Sequence, residues 1–128
     1  MGKLAALSKS ELEISRIVWR LGNAKVRDVV EALPEDRQLD FFTVQTYLRR
    51  LKGKGYLKTR REGRADVYSP AVKPTSVMRE MIADFVDRAF GGEAGPLMQH
   101  LIEDRGLSDS EIDSLQAALD DLKRRRKP

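Results

Sequence analysis

At 128 residues the chain suits one domain, or one compact domain with an extension. Its 41% hydrophobic content can support a core, while 34% charged residues oblige most helices to keep a polar face. It has no cysteine, which excludes disulfides and thiolate metal sites. No apolar run approaches the ~20 residues that span a bilayer, and no signal-peptide apolar region opens the chain. A soluble, cytoplasmic protein that does not itself bind a membrane is expected.

The net charge of +4 is segregated along the chain. Residues 1–40 balance, with seven basic and seven acidic side chains. Residues 41–73 carry nine Lys or Arg against Glu62 and Asp66, residues 74–122 carry three basic against eleven acidic groups, and KRRRK follows. A cationic block beside an acidic one implies a polyanion-binding part joined to a part with another task.

In chain order, Ser8 and Glu11 have the spacing of a capping box, with Leu7 and Leu12 as its hydrophobic staple. Ile14, Ile17, Val18 and Leu21 then recur on one helical face up to Gly22. Trp19 beside that stripe reads as core packing. Val26, Val29, Val30 and Leu33 mark a second, shorter helix ended by Pro34. Asp40 is placed to cap a third helix over residues 41–54, whose Val44, Leu48 and Leu51 face inward. The period then changes: Tyr56–Arg61 and Ala65–Ser69 read as two strands around Glu62-Gly63-Arg64. Helix, helix, helix, hairpin is the plan of a winged helix-turn-helix, assigned here to residues 1–73.

Residues 74–128 show helical patterning only, and are expected to form a helical dimerisation region with a basic tail. Met78, Met81, Ile82, Phe85 and Ala89 form a stripe that stops at Gly91-Gly92. A short helix carrying Pro96, Leu97, Met98, Leu101 and Ile102 ends at Gly106, and Ser108 with Glu111 begins the last helix as a second capping box. Its stripe of Ile112, Leu115, Leu119 and Leu122 approaches a heptad seam. About fifty residues are too few to hold a core alone. A second copy of the chain is therefore expected to cover Met81, Phe85, Leu101, Ile112, Leu115, Leu119 and Leu122. The KRRRK tail could grip DNA, but cations also suit a helix C-terminus, and a frayed, solvated end is expected.

Placed at about 100° per residue, the third helix separates Val44, Leu48 and Leu51 from Thr43, Thr46 and Arg50, with Gln45 and Arg49 alongside. Such a face suits a major groove: Arg pairs with guanine, Gln with adenine, and Thr with phosphate or a thymine methyl. Lys52, Lys54, Lys58, Arg60 and Arg61 would lie along the flanking phosphates, a salt-sensitive contribution blind to sequence. Arg64 at the hairpin tip would reach an adjacent groove or phosphate. The expected partner is double-stranded DNA. The alternative is a winged-helix module that docks proteins and no nucleic acid. An enzyme is not expected, because the sequence offers no nucleophile–base pair, no metal-ligand cluster and no phosphate-binding glycine loop; no cofactor is implied. His100, a lone histidine, reads as a packing or interface residue, since one imidazole without further ligands makes a poor metal site.

The segments LSKSELEISRIVWRLGNAKVRDVVEAL, FTVQTYLRRLKGKGYLKTRREGRADVYSP, FGG and LSDSEID resemble the BlaI/MecI/CopY family of bacterial repressors, also called the penicillinase repressor family. The resemblance runs in order over most of the chain and is most specific in TVQTYLRRLKGKG and EGRADVYSP. It implies a homodimeric winged-helix repressor on an inverted-repeat operator, with Thr43, Thr46 and Arg50 reading the operator, Arg64 in the wing, and the C-terminal helices as the dimer interface. The family's β-lactam-responsive members are inactivated by proteolysis in the penultimate helix at an Asn-Phe or similar bond; the matching position here reads His100-Leu101, which leaves release through a membrane metallopeptidase sensor open. Copper-responsive members carry a C-terminal cysteine pair that this chain lacks, and the KRRRK extension is not a family feature.

Overall fold

A computed structural model describes residues 4–126. The elements are α1 (Lys9–Leu21), α2 (Val26–Ala32), α3 (Phe41–Gly53), β1 (Leu57–Glu62), β2 (Ala65–Pro70), α4 (Pro74–Phe90), α5 (Ala94–His100), a π-helical turn (Leu101–Arg105) and α6 (Asp109–Arg126). The class is the expected one, mainly helical with one small hairpin. The chain divides into two compact units, Met1–Arg79 and Glu80–Pro128. The division falls within α4, past the step at 73/74, because Val77 on the early turns of α4 is buried.

In the first unit the capping box forms as the sequence predicts. Ser8 Oγ accepts the Glu11 N–H at 3.2 Å, and Glu11 Oε1 accepts the Ser8 N–H at 2.7 Å. Ile14, Val18, Val29, Val44, Leu48 and Leu51 are wholly buried where α1, α2 and α3 meet. Each such aliphatic side chain contributes about 1.5–3 kcal/mol on burial, before the entropy of ordering it. Trp19 is half-buried beside them.

Strands β1 and β2 pair antiparallel from Leu57 opposite Pro70 to Glu62 opposite Ala65. The loop is thus the two residues Gly63-Arg64, tighter than the three-residue turn read from the sequence. Gly63 has φ +63° and, among the described residues, no non-glycine residue has positive φ, the pattern of a type II′ turn with glycine first. Tyr68 on β2 also exchanges backbone hydrogen bonds with Ala24, at 2.7 and 2.9 Å. That bridge ties the approach to α2 onto the hairpin.

The second unit is wholly helical. Gly91 (φ +60°) and Gly92 (φ +87°) end α4 where expected. The next helix does not run regularly to Gly106: after His100 it widens into a π turn. Side-chain contacts Gln99–Glu103 (3.4 Å) and His100–Asp104 (3.2 Å) cross the junction. The basic tail also departs from the expected frayed end, because α6 stays helical through Arg126. Arg124 and Arg125 each reach Asp121, at 3.3 and 3.2 Å, and cations in a last turn oppose the exposed carbonyl dipole. Among the described residues no helix is long and apolar enough to cross a membrane.

Candidate nucleic-acid interface

The orientation of α3 follows from its inner face. Asp40 Oδ1 caps its first turn by accepting the Thr43 N–H at 2.8 Å. That hydrogen bond holds the Asp40 carboxyl below its ordinary range. Val44, Leu48 and Leu51 are fully buried, so the opposite face must lie outward. Thr46, Arg49 and Arg50 are exposed, and Thr43 and Gln45 are half-buried at the edges. Thr46 Oγ1 donates to the Phe42 carbonyl at 2.9 Å, and the Arg50 guanidinium sits 5.4 Å from the Tyr47 ring centroid. Among the described residues no carboxylate is recorded within ion-pair distance of Arg50.

The hairpin brings its cations to the same cleft as α3. An open cleft of about 490 Å³ is lined by Lys25, Arg27, Gln45, Arg49, Arg61 and Arg64, with Phe41 and Tyr68 among its walls. Burial, and then the Asp66 carboxylate, push the Tyr68 phenol above its ordinary value, partly offset by Arg49. The ring therefore stays neutral beside the cations. Lys52 and Lys58 are exposed. Arg60 pairs with Glu62 at 2.8 Å and Arg61 with Asp66 at 3.3 Å, both on the surface. Pairs this exposed are worth about 0–1 kcal/mol, so a phosphate can displace either carboxylate.

Lys54 stands apart from the other cations of the expected phosphate-facing set. Its ammonium lies 2.7 Å from Glu11 Oε1 and 3.0 Å from the Ala6 carbonyl. Glu11 is only 1% exposed. Burial alone would raise the Glu11 carboxyl, but the Lys54 ammonium and Ser8 together hold it below its ordinary value. The charge of Lys54 is thus used inside the fold, anchoring the N-terminal segment against the end of α3. Tyr56 hydroxyl donates to the Ala5 carbonyl in the same region. Gly55 has φ +91°, and a Cβ there would stand 3.2 Å from Leu4 Cδ2.

Lys25, Arg27, Phe41 and Tyr68 are among the cleft residues that escaped the sequence reading. The signal for the two cations was their place at the start of the helix preceding α3. Lys25 Nζ reaches Glu62 of the hairpin at 3.9 Å, a proximity that local patterning does not encode. Phe42, 74% exposed, lies one turn before Thr46 on the outer face and was also passed over. His100 is exposed, with its Nδ1 3.2 Å from Asp104 Oδ2 and its ring 6.0 Å from that of Phe90.

The family model described as penicillinase repressor matches residues 7–121. The chain belongs to the penicillinase repressor family. This is a family of transcriptional repressors and not of enzymes. Within it, the chain is 29% identical to a penicillinase repressor of Bacillus licheniformis over 127 residues, 99% of each chain. It is 34% identical over 113 residues to an uncharacterized 16.5 kDa protein of Latilactobacillus sakei, covering 88% of this chain and 77% of that one. Among solved structures, the DNA binding domain of the repressor BlaI is 32% identical, with TM-score 0.51 over 59% of this chain and 92% of that domain. MarR of E. coli, at 14% identity and TM-score 0.52 over 91% of this chain and 77% of that one, shares the fold alone. The winged-helix fold of this family member agrees with the topology above.

Proposed function

We propose that this penicillinase repressor family member is a homodimeric, cytoplasmic transcriptional repressor that lays α3 into the major groove of an inverted-repeat operator. The supporting observation is the shared cleft, in which Gln45 and Arg49 of α3 meet Arg61 and Arg64 of the hairpin and Lys25 and Arg27 at the start of α2. Opposite the buried face of α3, Thr46 and Arg50 stand in solvent with hydrogen-bonding groups at the spacing of successive helical turns. In this reading Thr43, Gln45, Thr46, Arg49 and Arg50 contact bases or their adjoining phosphates. Lys52, Lys58, Arg60, Arg61 and Arg64 follow the backbone, joined by Lys25 and Arg27. The likeness to the DNA binding domain of the repressor BlaI supports the assignment to DNA.

The dimeric part of the proposal rests on unit Glu80–Pro128. The 18 residues of α6 include no buried residue, and Phe85, Leu101, Ile112, Leu115, Leu119 and Leu122 are all exposed large hydrophobics. A second copy would cover these faces and Met81 with them. Release by a membrane metallopeptidase sensor fits the same unit. The α-to-π change falls at His100-Leu101, the expected scissile position, and both side chains are exposed; π segments occur often at functional sites.

Selection from a random DNA library supplies the operator, and gel-shift titration then separates the roles. Arg50→Ala should cost about 1–3 kcal/mol on the selected site and little on random duplex. Lys58→Ala should weaken both alike and lower the salt slope by about one. Failure of the chain to enrich any sequence, with no salt-dependent binding, would favour a protein-docking module.

A further inference from the structure

We propose that Phe42 is a specificity-determining residue, its ring reading the C5-methyl group of a thymine in the major groove. The inference rests on the DNA-binding reading above and adds to it an apolar base contact beside the polar ones. Phe42 is 74% exposed, more than any other large hydrophobic side chain among the described residues. The core makes no use of it. At about 100° per residue, Phe42 lies within about 40° of Thr46 and about 20° of Arg49 on the α3 wheel, opposite the buried Val44, Leu48 and Leu51. Phe41 meets it edge to face, with ring centroids 5.8 Å apart and planes at 81°, an arrangement that the quadrupoles of two aromatic rings favour. That contact restrains the outer ring, so less freedom is lost when a base arrives.

What the first turn of α3 can bind is narrowed by its own cap. A helix N-terminus ordinarily offers N–H groups to a phosphate. Here the Asp40 carboxylate already accepts the Thr43 N–H at 2.8 Å, and that hydrogen bond favours its ionised form. A negative charge at this end turns phosphates away. Thr46 is similarly committed, its hydroxyl donating to the Phe42 carbonyl at 2.9 Å, which leaves its methyl to extend the apolar patch of the ring. The N-terminal residues of a recognition helix are those that meet base edges. Among unmodified bases, only thymine shows an apolar group on the major-groove edge, and Phe and the Thr methyl are side-chain groups that suit it. Arg50 lies eight residues further on. At about 1.5 Å per residue the two are separated by about 12 Å along the axis, or about four base pairs at about 3.4 Å each. The thymine should therefore fall within about four base pairs of the position that Arg50 reads in the same half-site.

The test alters the DNA first, which leaves the fold of the protein untouched. The operator selected by the full chain is resynthesised with each thymine replaced in turn by deoxyuridine, which removes the methyl group and keeps the base pair. Gel-shift titration should find a thymine in each half-site whose replacement weakens binding about fourfold, the value of leaving one methyl-sized group unburied. Phe42→Ala should weaken operator binding while random-duplex affinity and melting temperature stay nearly unchanged. Against that variant the deoxyuridine penalty should vanish, and against Phe42→Leu it should persist in part. The proposal is overturned if the penalty is undiminished in Phe42→Ala. Weakening of operator and random DNA alike, with the methyl effect intact, would make the ring a sequence-blind wedge and overturn it too. If deoxyuridine has no effect anywhere while Arg50→Ala still relaxes sequence preference, the DNA-binding reading stands and Phe42 is removed from it. Failure of the unmodified chain to select any sequence would instead sink that reading, and this contact with it.

Discussion

Lys54→Ala separates a structural cation from a DNA-binding one. In the folded unit the Lys54 ammonium is 2.7 Å from a Glu11 carboxylate that is 1% exposed, while Lys54 itself keeps 26% of its side-chain surface. Truncation leaves the carboxylate buried with only the Ser8 N–H among its present partners near Oε1. Breaking a buried pair by removing one member costs about 3–5 kcal/mol, and the partial exposure of Lys54 places this case near 3. For a unit of this size that corresponds to a melting temperature lower by on the order of 10–20 °C. The pH dependence has a fixed sign. The Glu11 carboxyl is depressed in the folded protein, so its stabilisation is present above the unfolded value and lost as pH falls through the folded one. The gap between native and Lys54→Ala proteins should therefore be widest near neutrality and shrink in acid, where Glu11 is protonated in both. Thermal denaturation by circular dichroism from pH 7 down to pH 3 reads both effects, and gel shifts at low temperature, where the variant is folded, should show unchanged operator affinity. An unchanged melting temperature together with weaker DNA binding and a shallower salt slope would refute the internal role.

Leu119→Asp should leave single-chain stability nearly untouched, because the residue is 60% exposed in one copy. It should nonetheless raise the dimer dissociation constant by about tenfold or more, since pairing would desolvate the charge. Sedimentation velocity checks this, and an unchanged dimer would take Leu119 out of the interface. Asp40→Ala removes the cap of α3 and should lower the melting temperature at pH 7. That difference should fade as pH falls, because the depressed Asp40 carboxyl stabilises only while ionised; a difference that grows in acid would contradict the capping role.

The elements were legible because their causes are local. The box of Ser8 and Glu11, the Asp40 cap and the glycine stops act over three or four residues, and the stripe of Val44, Leu48 and Leu51 announces both a helix and its buried side. The outer face of Thr46 and Arg50 followed by subtraction. The penicillinase repressor family could be named from motifs in order along the chain for the same reason. What patterning left open depended on distances between remote segments. Lys54 and Lys58 are both cations in one basic run, but only folding brings Glu11, 43 residues away, against the first. Lys25 and Arg27 joined the cleft because the Ala24–Tyr68 bridge carries the start of α2 to the hairpin. Hydrophobic period and capping chemistry are properties of a short window of chain, so sequence alone determined the helices, the wing and the face of α3. The partners of Lys54 and Lys25 are set by packing between segments remote in sequence, and those only the tertiary structure decided.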